Sequence, residues 1–349
     1  MMVLKNLFVR HQFQTSAIAL CAVFAPLLAP FSSGRVAIAS LPSFGQWCAD
    51  TGLSPEARHT VEMLLEVVQT EDCGQASEIL SELTDINLSA KEIVDLQPLT
   101  SLGNLARLDL SINQISDVSP LASLSNLEQL YLSKNQISDV SPLVGLNLIK
   151  LNVDRNQITD ISHLAQITSL TDLSFRDNQV ENIDSIAKLE NLYTLFADIN
   201  QISDISPLAA LKNLSGADLS DNQIVDISPL SSMPQLEWIV LRNNQISEIE
   251  PLTSLTGLVE LDLSGNQIAS VNAISTLGNM SELFLDNNQI SDVSPLSELT
   301  RLSALFIRNN QIRDISSLET LTRLSRLSVS ENPIPEPVCP VQPERVCQF

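Results

Sequence analysis

Eleven asparagines recur through this 349-residue chain at near-constant spacing: Asn113, Asn135, Asn156, Asn178, Asn200, Asn222, Asn244, Asn266, Asn288, Asn310 and Asn332. Every interval is 22 residues except that from Asn135 to Asn156, which is 21. Ten of them are followed by Gln, and all eleven by Ile or Val two positions on. Self-similarity at a fixed period in the twenties specifies a solenoid, because one such unit cannot bury its apolar side alone and must share a core with its neighbours. A body of this kind works through a long surface rather than an enclosed pocket.

Within one unit, Leu105-x-x-Leu108-x-Leu110-x-x-Asn113-x-Ile115 is followed by Val118, Leu121 and Leu124. The alternation Leu108-x-Leu110 predicts a short strand with one buried face, and successive coils should set such strands side by side as a parallel sheet. Each Asn is expected to turn inward where the chain leaves the strand and to satisfy backbone groups left in the interior, with a loss of roughly 1–3 kcal/mol on its removal. Ser119-Pro120 and its counterparts Ser141-Pro142, Ser206-Pro207, Ser228-Pro229 and Ser294-Pro295 suit a helical turn with Ser as N-cap and Pro in the first helical position. An atypical unit precedes these, with Leu83, Ile86, Leu88, Ile93, Leu96 and Leu99 in place but Lys91 where the Asn belongs. Phe175 and the following unit's Ala197 are both inward, so the large ring is expected to fill space left by the small methyl.

The unit, with its N-Q-I-S-D-I-S-P-L run, resembles the repeat of internalin-type bacterial leucine-rich-repeat proteins over about residues 83–334. The resemblance implies an α/β solenoid: a leucine-rich-repeat arc with a parallel β-sheet on the concave face, short 3-10 or helical turns on the convex face, and a small helical N-terminal cap. The expected division is 1–39 signal peptide, 40–82 disulfide-stapled helical cap, 83–334 twelve repeats with the first and last atypical, and 335–349 C-terminal cap. The chain departs from internalins in showing no wall-sorting motif, following immunoglobulin-like domain or basic wall-binding module, so host-cell invasion is not carried over.

Residues 1–39 contain no acid, carry Lys5, Arg10 and Arg35, and hold an apolar stretch from Ala17 to Phe31 before Ala37-Ile38-Ala39. This reads as a secretory leader cleaved before Ser40, the alternative being an uncleaved membrane anchor. Net charge is −22, and loss of the leader's three basic residues makes it about −25. So acidic a chain is a poor match for nucleic acid or anionic lipid, and no stable membrane insertion is expected after cleavage. Acids that repeat on the back of the coil, such as Asp117, Asp139, Asp160, Asp204, Asp226, Asp292 and Asp314, read as solubilising and turn-capping groups. The four cysteines beyond the leader flank the repeats, and pairing Cys48–Cys73 and Cys339–Cys347 would staple the two ends. Metal ligation is the rival reading, with no His near either pair. Between the first two, Ser54-Pro55 opens a helix with Ala57, Val61, Leu64, Leu65 and Val68 on one face, and Asp72 to Leu83 forms a second with Ala76, Ile79, Leu80 and Leu83 inward.

The open face of the sheet carries the functional signal. Four positions before the Asn, the strands present Tyr131, Phe196, Val240, Phe284 and Phe306, with Trp238 beside Val240. Large apolar side chains are not needed on a solvent-facing strand position, and aromatic anchors in a polar rim are the make-up of a binding hot spot. Arg242 and Arg308 flank this zone and suit acidic groups on a partner. The alternative is that the rings stack along the ladder and stiffen the sheet. Asp154, Arg176 and Asp198 fall on consecutive strands as a cross-strand ion-pair ladder, and a calcium site from Asp177, Asp198 and Asp221 lacks the glycine-rich loop that would support it.

No phosphate loop, nucleophile elbow, paired-His motif or Cys–His arrangement is present, so neither catalysis nor a cofactor or metal is expected. The best reading is an exported, monomeric, non-enzymatic recognition or adhesion module that binds a protein, or else a glycan, on its concave face, in the periplasm or outside the cell. The alternatives are an envelope scaffold without a specific ligand, and a regulator resembling intracellular phosphatase-binding leucine-rich-repeat proteins.

Overall fold

The computed structural model describes residues 41–349, so the leader at 1–39 and its cleavage site before Ser40 lie outside the described residues. Three α-helices, α1 (Phe44–Ala49), α2 (Pro55–Val68) and α3 (Cys73–Glu82), precede a single sheet of thirteen strands among the described residues. The strands are β1 (Asp85–Asn87), β2 (Arg107–Asp109), β3 (Gln129–Tyr131), β4 (Lys150–Asn152), β5 (Asp172–Ser174), β6 (Thr194–Phe196), β7 (Gly216–Asp218), β8 (Trp238–Val240), β9 (Glu260–Asp262), β10 (Glu282–Phe284), β11 (Ala304–Phe306), β12 (Arg326–Ser328) and β13 (Cys347–Gln348). They pair in chain order and in parallel, and equivalent repeat positions face one another across every junction. The 21-residue interval leaves this register intact, with Gln129 opposite Lys150, because the deletion falls at Leu146, where the chain leaves the back turn extended.

The asparagines build the inner wall. Asn135 accepts from Ile115 N in the coil before it (3.0 Å) and donates to Leu110 O there and to Leu132 O in its own coil (3.0 Å each). The same bridge recurs from Asn113 to Asn332, so each amide pays the polar debt of two coils at once and fixes their spacing. The residue before each Asn is left-handed, with φ from 50° to 71° at Ile112, Lys134, Arg155, Asp177, Ile199, Asp221, Asn243, Gly265, Asn287, Asn309 and Glu331. Six of these eleven positions carry Gly, Asn or Asp, which tolerate the left-handed region, and at Ile112, Lys134, Arg155, Ile199 and Glu331 the Asn bridge holds the turn against the side chain's preference. On the back a second polar row appears, Asn126, Asn191, Asn213 and Asn279 each donating to a carbonyl of the preceding coil and Asn104 to Ser81 O of α3.

The back turns are short 3-10 segments, such as Ser119–Ser123, and they correct the expected capping. Val118 holds the cap position, Ser119 is the first helical residue, and the Asp117 carboxylate accepts from Ser119 N (2.8 Å). Asp139, Asp160, Asp204, Asp226, Asp292 and Asp314 do the same. A carboxylate reaching two residues forward makes an Asx turn, and at Asp117, Asp139, Asp204 and Asp226 its second oxygen also accepts from the serine hydroxyl (2.9–3.0 Å).

Both ends are closed. Ser54 and Asp72 cap α2 and α3 through Ala57 N and Gln75 N, as the sequence predicts. Ala57, Val61, Leu64, Ala76 and Leu80 are buried, whereas Leu65, Val68 and Leu83 are half-buried and Ile79 is exposed, so each helix buries a narrower face than its periodicity suggests. The helix α1, which the sequence pattern does not announce, buries Phe44 and Cys48 and carries the Cys48–Cys73 bridge (Cα–Cα 5.6 Å). Lys91, the residue at the missing Asn, pairs instead with Glu66 of α2 (2.9 Å). At the other end Val341 and Val346 cover the last layer, and the Cys339–Cys347 bridge (Cα–Cα 5.7 Å) holds the tail while Cys347–Gln348 adds a thirteenth strand. Among the described residues no helix is long and apolar enough to cross a membrane.

Candidate binding face of the sheet

Each repeat strand buries its central residue in the core and carries the two flanking ones on the open face, where neighbours cover some of them, as Ile239 lies within the core between Trp238 and Val240. Tyr131, Phe196, Trp238, Phe284 and Phe306 all lie outside the hydrophobic core and are half-buried on the open face. Val240 departs from the expectation of an exposed residue. It is 8% exposed, a short side chain between Asp218 and Asp262 in the neighbouring strands, and offers little to a partner.

The rings form two groups. Phe196 and Trp238 lie 5.7 Å apart and tilted by 32°, two strands from one another. The indole reaches back over Gly216, its register partner, where any Cβ would fall within the ring. Arg176 covers the other side of Phe196 at 4.2 Å. Phe284 and Phe306 stack with centroids 4.8 Å apart, and Arg326 lies 5.5 Å from Phe306. Tyr131 stands apart, with Arg107 over its ring. Ring-on-ring contact along the ladder, the stiffening alternative, therefore coexists with solvent access to the same rings.

The charges are arranged differently from the expected ladder. Arg176 reaches forward to Asp198 (Nε–Oδ1 2.8 Å) and Asp218 (Nη2–Oδ2 3.2 Å) rather than back to Asp154, which instead accepts from the Arg176 backbone N (2.9 Å). The Nε–Oδ1 contact is close but misaligned for a hydrogen bond. Burial first, and then the neighbouring Asp218, push the Asp198 carboxyl up to about 7 against the pull of Arg176. Arg308 is engaged by Asp286 through Nε and Nη2 (2.9 and 2.6 Å); both arginines proposed for acidic groups on a partner are exposed, and Arg242 is the one without an ion pair among the described residues. Asp177, Asp198 and Asp221 are separately taken by Arg155, Arg176 and Asn243, and no group of three His, Cys, Asp or Glu side chains is placed to hold a metal ion among the described residues. A cleft of about 170 Å³ at the rim is lined by Lys134, Arg155, Arg176, Asp154, Asp177 and Asp198, charges that largely neutralise one another.

Sequence reasoning passed over Glu260, Asp262 and Glu282, which lie between the two ring groups. Burial, followed by the nearness of Glu282, raises the Glu260 carboxyl above its ordinary range, and burial likewise raises Asp262. Alternation alone marks these positions as outward, but it does not show that larger neighbours enclose them.

Comparison with known proteins agrees with this architecture. The model of the family described as leucine-rich repeats (two copies) matches residues 103–145, 125–166, 168–210, 212–254, 234–279, 256–298 and 278–319. An internalin of Listeria monocytogenes, InlF, is 32% identical over 80% of this chain and 90% of its own, with a TM-score of 0.70. The chain is an internalin-type leucine-rich-repeat protein. The functional domain of InlJ from the same organism shares the fold at 21% identity and a TM-score of 0.57, covering 83% of this chain and 76% of that one. The plant peptide hormone receptor RGFR1, solved in complex with RGF2, does so at 19% identity and a TM-score of 0.56, covering 73% and 53%. Comparison with curated proteins returns no match. Leucine-rich-repeat proteins of this kind are protein-interaction modules and generally non-enzymatic.

Proposed function

We propose that this internalin-type protein is a non-enzymatic recognition module that holds a protein ligand against the concave face of its sheet between β6 and β11. The observation that carries the reading is the placement of Phe196, Trp238, Phe284 and Phe306 outside the core, where folding does not require them. Rigid aromatic side chains give large contact area at small entropic cost, and those on β6, β8, β10 and β11 are already held in place by their neighbours. The span is five inter-strand steps, about 24 Å. The fold's use in RGFR1, a receptor solved with RGF2, supports a protein or peptide ligand over a glycan.

Two end-stapling disulfides favour an oxidising compartment, periplasmic or extracellular, over the cytosolic regulator reading. We place the protein there as an exported monomer in an adhesion or surface-recognition role. Stacking within each ring pair favours the scaffold reading as the alternative, so the deciding experiment separates the two. Trp238→Ala with Phe284→Ala should abolish crosslinked capture of an envelope protein while the melting temperature stays within about 2 °C. A large fall in melting temperature with capture retained would favour a stiffening role.

A further inference from the structure

Between the two ring groups the sheet face has uncompensated negative charge. Trp238 leans away from β9 over Gly216, and Phe284 stacks toward β11, so β9 lies as a trough between two aromatic walls. Glu260 and Asp262 occupy that strand, and Glu282 stands directly beside Glu260 in the parallel register. Like charges directly opposite one another in a sheet are destabilising, and here they are also partly buried. The Glu282 Oε2 atom is buried without a hydrogen-bond donor among the described residues.

Of the nearby cations, Arg242 lies near enough to attract the Asp262 charge, but no ion pair joins them among the described residues. Arg176 is held by Asp198 and Asp218, and Arg308 by Asp286. Among the described residues no ion pair includes Glu260, Asp262 or Glu282. Two carboxylates elsewhere on the face are paired, Asp85 with Arg107 and Asp172 with Lys150. The Glu260–Glu282 pair, opposed in register and without an ion pair, thus lies where two aromatic groups flank it, an arrangement that favours a cationic side chain both electrostatically and through the faces of the rings.

Resting on the recognition reading above, we propose that the trough formed by Trp238, Glu260, Asp262, Glu282 and Phe284 takes a lysine or arginine side chain from a basic segment of the protein partner. A metal ion is disfavoured because no three acidic groups are placed to ligate one among the described residues. An apolar segment would leave the carboxylates desolvated and unpaired, a larger cost than leaving the face wet. The chain's charge of −22 would further speed encounter with such a segment.

The test uses a fluorescein-labelled decapeptide of alternating lysine and serine, titrated by anisotropy at physiological salt. The variant Glu260→Gln with Glu282→Gln should weaken binding about tenfold or more and hold or raise the melting temperature, since it removes a like-charge pair. Glu298→Gln with Glu319→Gln changes net charge equally on the exposed back turns and should weaken binding less than about twofold. Equal weakening by the two double variants would mean that the probe responds only to net charge, and would overturn the proposal. So would capture of the envelope partner that survives Glu260→Gln with Glu282→Gln but is lost with Trp238→Ala and Phe284→Ala. That last outcome would leave the recognition face standing and remove only its cationic ligand.

Discussion

The inner wall of this solenoid and its open face obey different rules. Inside, the coils are near copies: Asn135 and Asn222 make the same bridge to the coil before them, and Leu, Ile and Val recur at the same depth. Outside, neighbouring strands seldom agree: Gly216 and Asp218 are followed by Trp238 and Val240, then Glu260 and Asp262, with a residue repeated only locally, as at Glu260–Glu282 and Phe284–Phe306. A coil must satisfy its neighbours in the same way each time, so the interior repeats. The face is free of that constraint, so its irregularity is where we propose that function resides. The same contrast appears within the face, where Arg176 is locked between Asp198 and Asp218 while Glu260 and Glu282 stand opposed and unpaired.

The contrast is sharpest at the interior. Phe175→Ala should cost about 3–5 kcal/mol in chemical denaturation, because the ring is fully buried and the next coil offers only Ala197 beside it. Asn222→Ala should cost roughly 1–3 kcal/mol by the same measurement, as Ile202 N and the carbonyls of Ala197 and Leu219 lose their partner. A cost near zero at either position would erase the distinction between the wall and the face.

Gly216→Ala probes the boundary between the two. Its Cβ would occupy the space of the Trp238 indole, so the ring must leave Phe196. We expect a shift in Trp238 fluorescence and a loss of about 1 kcal/mol, less than either interior change. Unchanged fluorescence would show that the indole does not rest there.

A pH dependence sets one carboxyl of the face against those of the back turns. With its folded value near 7 against an ordinary 3.8, Asp198 holds its proton in the native state after the unfolded chain has released it. Its contribution to stability therefore falls as pH rises from about 4 to about 7 and does not return above that. Asp198→Asn mimics the protonated acid, so its melting temperature relative to the parent should climb across this window. The exposed back-turn acids Asp139, Asp160, Asp292 and Asp314 are held below their ordinary values by serine hydrogen bonds, and their contribution is lost instead as pH falls. A flat difference for Asp198→Asn would remove that opposition.

How much of this was legible from residues alone follows the same division. The Asn bridge, the inward strand positions, the caps of α2 and α3 and both disulfides were readable because each rests on local spacing. The left-handed turn residue was legible at the six positions with Gly, Asn or Asp, such as Asp177 and Asn243, but not at Ile112, Lys134 or Glu331, whose side chains disfavour that conformation. Neither was the cradle under Trp238, whose two halves stand 22 residues apart and meet only across the ladder. Alternation placed Val240, Glu260 and Glu282 on the outside correctly. It could not show that Val240 would be enclosed by its neighbours, or that two glutamates would face each other, because both depend on the side chains one coil away.

The most direct test of a recognising face on a repeating frame is site-specific photo-crosslinking. A photoreactive residue at Asp262, in the centre of the face, should form an adduct with the partner in the native envelope, while the same residue at Glu298 on the back turn should form none. Adducts from Glu298 with none from Asp262 would place the partner on the opposite side of the coil and contradict the account.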